Sequence, residues 1–231
     1  PKKAQEIIRA AKEGAVRPDG TRIPVTVKTR IGYNKNELET WLPALLEAGP
    51  AVVTIHARTR KEMSKVPARW EHVKRAVEIR DTFFKNSTGN STGSRTLIFG
   101  NGDIDSPEKA LEYKNKFGLD GMMIGRAAIG YPWIFNEIKH FFQTGEHLAP
   151  PTVADRVEAA KNHLIWSMEW KGERVGIVEM RRHYTNYFKG IHGFKEYKQK
   201  LVTTDGYNEL FAIFAQINEV YANYDTATIG H

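Results

Sequence analysis

Through residues 1–145, helix-like and strand-like segments take strict turns, and no other feature of the chain limits its fold as much. "PKKAQEIIRAAKEGA" (1–15) has helical periodicity, and "IPVTVKTRIG" (23–32) reads as a strand. "NELETWLPALLEAG" (36–49) is helical and closed by Gly49, and residues 51–57 form the next strand. "WEHVKRAVEIRDTFF" (70–84) predicts a helix, and "STGNSTGS" (87–94) a Ser/Gly loop or insertion. Strand "RTLIFGNGD" (95–103) leads into a helix opened by Ser106-Pro107-Glu108, with proline in its first turn. "LDGMMIGRA" (119–127) is a short strand, and "PWIFNEIKHFFQTG" (132–145) a helix ended by Gly145. Strands joined by helices in succession imply a parallel sheet. These strands hold few polar residues before their C-terminal ends, as expected when both faces are covered.

After "APPT" (149–152), a candidate linker, the pattern changes. Residues 153–170, 174–189 and 205–224 read as amphipathic helices with no strand between them, which predicts a separate helical domain. Four strands cannot close a barrel. An open four-stranded parallel sheet and the second half of an eight-stranded β/α barrel both satisfy the pattern.

The absence of cysteine excludes disulfides, thiolate zinc sites and a cysteine nucleophile within these 231 residues. No run approaches the roughly 18 apolar residues that crossing a membrane needs. No secretory signal opens the chain, although it begins at Pro1 rather than Met. The expectation is a cytoplasmic protein, not membrane-bound, whose native start lies upstream. The net charge of +7 is unevenly spread. Residues 58–80 hold eight Lys/Arg against three Glu, residues 181–200 six against one Glu, and residues 203–231 four acids with no Lys or Arg. Either basic patch alone reads as a solvated helix face; two of them suit a phosphate backbone.

The chemistry-bearing residues gather where the strands end. "VTVKTR" (25–30) and "VTIHAR" (53–58) each place polar or cationic residues at alternate positions: Thr26, Lys28 and Arg30, then Thr54, His56 and Arg58. Alternation by two puts each set on one face, and in parallel β/α folds ligands collect at the C-terminal ends of strands. Lys28 and His56 are therefore expected to point into one pocket from neighbouring strands. The plainer readings are a lysine reaching water along its stem and a hydrogen-bonded core histidine. The next two strands end in "GNGD" (100–103) and "GRA" (125–127), where glycines allow close backbone approach and N–H groups can hold phosphate. Arg126 would add a charged contact. Gly100-Asn101-Gly102 is no dinucleotide fingerprint, because the spacing fails at Asp105. A phosphate cradle on the last two strands and a cation pair on the previous two suit flavin mononucleotide. A sugar phosphate fits the cradle equally well.

"PVTVKTRIG", "TIHARTR", "IFGNGDIDSPEKA", "GMMIGRAAIGYPWIFNEI" and "TGEHLAPP", in this order, closely resemble the tRNA-dihydrouridine synthase family. "VEMRRHYTNYFKGIHGFKEYKQKL" (178–201) resembles that family's C-terminal RNA-binding helical domain. The resemblance implies an α/β fold: the second half of a TIM (β/α)8 barrel over residues 1–148, with strands resembling 5 to 8, followed by an all-α tRNA-binding bundle over residues 149–231. It implies reduction of the 5,6 double bond of particular uridines in tRNA, with FMN as cofactor and NAD(P)H as reductant, by a monomeric protein. Lys28, His56, Asn101, Gly102, Asp103, Gly125 and Arg126 would bind the cofactor. Arg30, Arg58, Arg60, Arg181, Arg182, Lys189, Lys195 and Lys198 would meet the tRNA. The family's general acid is a cysteine, which this segment does not contain, so the proton donor is expected upstream and the segment alone is expected to be inactive. Two rivals remain: another FMN-dependent barrel reductase acting on a small molecule, and a non-catalytic RNA-binding protein.

Overall fold

The computed structural model describes residues 1–86 and 95–228, so the Ser/Gly stretch 87–94 lies outside the described residues. Four strands form, β1 (Thr26–Arg30), β2 (Val52–His56), β3 (Leu97–Asn101) and β4 (Gly121–Met123). All pair in parallel, in the order β1-β2-β3-β4. They are shorter than the sequence pattern suggests because the chain turns away at each C-terminal end; after β4 it enters a 3-10 turn at Arg126–Ala128. Helices α1 (Lys2–Gly14), α2 (Leu38–Glu47), α3 (Glu71–Asn86) and α4 (Pro107–Phe117) alternate with the strands. As the Ser-Pro-Glu signal predicts, the Ser106 side chain caps α4 by accepting from Lys109 N, with Pro107 at the first helical position.

The register sorts the strand residues into two faces. Val27, Val53 and Ile98 are aligned on one face, together with Thr29, Ile55 and Gly100. Val53, Ile55 and Ile98 are completely buried, as are Leu42 of α2, Val73 and Ala76 of α3 and Ala110 of α4. Each large aliphatic residue buried in this way contributes about 1.5–3 kcal/mol. On the opposite face, Thr26 and Lys28 are exposed and Leu97 is 40% exposed. A sheet covered on both faces was expected from the apolar strands. Within the described residues, helices cover one face only.

Arg80 of α3 ties the N-terminal ends of β3 and β4 together. Its guanidinium is 1% exposed, donates to Thr96 O at 3.1 Å and pairs with Asp81 and Asp120. Asp120 in turn accepts from Ile98 N at 2.8 Å.

The chain divides into two compact units, residues 1–125 and 126–231. The second holds α5 (Ile134–Thr144), α6 (Val153–Lys171), α7 (Glu173–Tyr187), α8 (Lys195–Thr203) and α9 (Tyr207–Val220). The division falls before α5, upstream of the boundary expected at residue 148, because the segment leading into α5 packs with the bundle. Trp133 lies against the bundle core, and the Arg156 guanidinium sits 5.8 Å from the centre of the Tyr131 ring. The "APPT" segment starts α6 through a reciprocal cap between Thr152 and Asp155 rather than separating two domains. Val157, Leu164, Ile177, Met180, Leu201, Phe214 and Ile217 form the bundle's buried centre. No helix among the described residues is long and apolar enough to cross a membrane.

Candidate cofactor and nucleic-acid site

Arg30, His56, Asn101 and Met123 stand in register across the C-terminal ends of the four strands. The sequence pairs Lys28 with His56 by motif. The two stand on one face at different levels, since Lys28 faces Thr54 and Arg30 faces His56. Lys28 shares their face but lies two residues lower, about 6.6 Å along the strand. Asn101 is buried; its Nδ2 donates to Met123 O at 2.7 Å, and its carbonyl accepts from Ala57 N at 2.9 Å. Its side chain thereby ties β3 to the end of β4.

The loop after β2, residues 57–70, folds over the ends of β1 and β3. Arg30 Nη1 donates to Thr59 O at 3.0 Å and to Met63 O at 3.2 Å, and Arg60 N bonds to Gly32 O. On the β3 side, Arg69 N returns to Ala57 O, and Trp70 Nε1 donates to Gly102 O at 3.0 Å. Glu62 closes the loop internally, accepting from Thr59 N at 2.8 Å and from Arg69 at 2.7 Å. Met63 and Asp103 both have positive φ, at 55° and 54°, and are the only such non-glycine residues among those described. Such backbone costs energy and persists only where its surroundings hold it in place.

Arg58 is where the structure departs most from the sequence reading. Expected at the mouth facing RNA, it is instead 2% exposed. Its guanidinium donates to Val66 O, lies 3.2 Å from His56 Nε2 and pairs with Asp103. Asp103 was expected against the cofactor, but the same oxygen, Oδ2, takes both Arg58 and Ala68 N, the latter at 2.9 Å. The two glycines of "GNGD" answer to packing as well. A Cβ on Gly100 would lie 2.2 Å from the Trp70 ring. At Gly102, φ is +131° and a Cβ would lie 2.9 Å from Ala68 and 3.6 Å from His56. Gly125 differs: it is exposed, and a Cβ there would meet nothing within 4 Å.

The site is strongly electropositive. Burial, then the charges of Arg30, Lys28 and Arg58, hold the His56 pKa down to about 4, against a weaker opposing pull from Asp103. Burial and Arg30 also lower Lys28. His56 is therefore neutral near pH 7. Arg60 is exposed, as predicted for an outward-facing cation. A cavity of about 530 Å³, which the sequence did not disclose, opens beside Arg30 and Arg60 and is lined also by Tyr33, Trp41 and Thr29.

Among the helical candidates, Arg182, Lys189, Lys195 and Lys198 are exposed. Lys195 and Lys198 are three residues apart on α8, and so share a face. Arg181 is a correction: it pairs with Asp205 and donates to Thr204 O at 3.4 Å, joining α7 to the α8–α9 connection. Arg126 is exposed and begins the 3-10 turn of the second unit.

Residues 1–220 match the family model described as dihydrouridine synthase (Dus), and the chain belongs to that family. It is 34% identical over 192 residues to "Probable tRNA-dihydrouridine synthase 1" of Synechocystis sp., covering 81% of this chain and 49% of that protein. It is 34% identical over 225 residues to "Probable tRNA-dihydrouridine synthase" of Staphylococcus aureus strain MRSA252, covering 95% of this chain and 61% of the relative. A Staphylococcus epidermidis relative of the same name is 35% identical over 211 residues, 90% of this chain and 57% of its own. The chain thus spans about half to three-fifths of the relatives it matches.

Proposed function

We propose that these residues form the cofactor-holding second half of the barrel, and the tRNA-binding helical part, of an FMN- and NAD(P)H-dependent tRNA-dihydrouridine synthase. The observation that carries the reading is the row Arg30–His56–Asn101 across three strand ends, with the exposed backbone of Gly125 following β4. The half-barrel assignment is supported by the sheet face that helices leave uncovered and by the share of the relatives that the chain spans.

The residues present fit a flavin nucleotide. Lys28, Arg30 and a neutral His56 offer positive charge and hydrogen-bond donors to an anionic, carbonyl-rich ring. Gly125, with nothing above its Cα, leaves room for a ligand to approach the backbone. Gly125 and Arg126, adjacent in the chain, are the residues we assign to the phosphate. Asn101 and the Gly102-Asp103 backbone hold the shape of the floor. Bound there, a flavin would supply hydride chemistry for reducing the uracil 5,6 double bond, with NAD(P)H as the reductant. Arg60 and the cavity beside it receive the RNA backbone, and the target base is turned out of the tRNA fold to enter. In the helical unit, Arg182, Lys189, Lys195 and Lys198 are the cations we assign to the tRNA backbone. The matching proton requires a donor. The 231 residues include no cysteine, the donor that the family resemblance implies, and we assign that role to a residue outside them. We take the protein to work as a monomer in the cytoplasm.

The test is to incubate the full-length protein with FMN, NADPH and unmodified tRNA and to measure dihydrouridine by nucleoside mass spectrometry. Formation of dihydrouridine supports the reading. A flavin-loaded protein that reduces a small pyrimidine but leaves tRNA untouched, or an RNA-binding protein that takes up no flavin, would overturn it.

A further inference from the structure

Arg58 is buried, fully engaged and one side chain away from the ligand face of the site. Its guanidinium carries only donors, so its 3.2 Å contact with His56 Nε2 can be a hydrogen bond only if Nε2 is unprotonated. The guanidinium is itself fixed from two further directions, by Asp103 from the end of β3 and by the Val66 carbonyl from the loop. The Nε2–Cδ2 edge of His56 packs over Gly102, whose Cβ would stand 3.7 Å and 3.6 Å from those atoms. The ring is therefore oriented from one edge. Nδ1, on the other edge, makes no hydrogen bond among the described residues, and the side chain is only half-buried.

We infer that Arg58 is a positioning residue, anchored by Asp103, that fixes His56 as its neutral Nδ1–H tautomer and so presents a single, oriented donor to whatever occupies the strand ends. The charged groups facing His56 agree with this. Arg30 and Lys28 come from β1, Arg58 from the loop after β2, and Asp103 from the end of β3, where Arg58 already engages it. A protonated imidazole would turn a second N–H toward Arg58 and add a charge beside three others. His56 thus contributes direction rather than charge, and the positive potential comes from Arg30, Lys28 and Arg58. On the flavin reading above, the donor would address a heteroatom of the isoalloxazine ring. The tautomer itself does not depend on that reading.

The experiment is 15N–1H long-range correlation NMR on full-length protein labelled at histidine, with the His56 signal assigned by its loss in H56Q. Without added ligand, the expected result between pH 6 and 8 is an unprotonated Nε2 and a protonated Nδ1. Arg58→Met should bring a substantial Nε2–H population and raise the midpoint of His56 protonation, since one cation is gone. Asp103→Asn, which loosens the anchor of Arg58, should raise the Nε2–H population to a smaller extent, while the loss of a carboxylate that favours the imidazolium should keep the midpoint from rising. An Nε2–H signal in the unsubstituted protein overturns the inference without any variant, and so does an unchanged tautomer in a folded Arg58→Met protein. If Arg58→Met does not fold, the unsubstituted protein and Asp103→Asn decide. Failure here leaves flavin binding standing, and failure to bind flavin leaves the tautomer standing.

Discussion

Arg58, Arg60 and Arg80 show how one residue type serves different ends. Arg60 faces solvent, whereas Arg58 and Arg80 are buried with carboxylates distant in sequence, Asp103 and Asp120. The buried pair at Arg80 should respond asymmetrically. Asp120→Asn leaves a buried cation short of a partner and should cost about 3 kcal/mol in a urea titration. Arg80→Met removes that charge and should cost less. Burial alone would raise the Asp120 carboxyl, but the hydrogen bond from Ile98 N and the Arg80 guanidinium outweigh it and hold the pKa below the ordinary value. Stability from this pair is therefore present above the unfolded carboxylate pKa and lost as pH falls through the lower folded value. His56 has the same sign. Its folded pKa of about 4 lies below its unfolded value of 6.5, so stability should decline from pH 6.5 toward pH 4. His56→Gln should flatten that part of the urea-midpoint profile; a profile unchanged by the substitution would refute the assignment.

At the level of elements, the loop over residues 57–70 is the feature least visible in the sequence. Asp103, 45 residues after Arg58, binds both Arg58 and Ala68 N. Asp103→Asn weakens the first contact, so amide exchange across residues 58–68 should rise while exchange in β2 and β3 stays slow. Gly100→Ala would drive a methyl into the Trp70 ring and should destabilise the β3 end of the sheet, read as a lowered melting temperature. Helix–strand alternation announced the order of these elements, because period-2 and period-3.6 patterns are local. Register was not legible. "VTVKTR" and "VTIHAR" look superimposable, yet strand stagger puts Arg30 rather than Lys28 beside His56. Nor could the sequence separate an arginine that faces solvent, as Arg60 does, from one that meets an aspartate just beyond the next strand, as Arg58 does. Likewise α8 was not read as a separate helix, and "APPT", which looks like a linker, caps a helix.

For the molecule as a whole, the proposed activity draws on residues of both units. In the helical unit, Lys189, Lys195 and Lys198 are exposed cations, whereas Arg181 is tied to Asp205. Replacing the three lysines by glutamine should weaken tRNA binding and lower the slope of log K against log salt by about one per lost phosphate contact. Arg181→Gln should instead lower the thermal stability of the bundle, with a smaller change in that slope. In the first unit the claim on which the rest depends is that the ends of β1–β4 hold a flavin. The direct measurement is titration of FMN into the full-length protein, followed by flavin fluorescence and absorbance. A saturable 1:1 complex with a perturbed flavin spectrum, weakened at least tenfold by Arg30→Ala or His56→Ala in folded protein, a loss of about 1.4 kcal/mol, is the predicted result. No spectral change on adding FMN, or equal affinity in those variants, would contradict it.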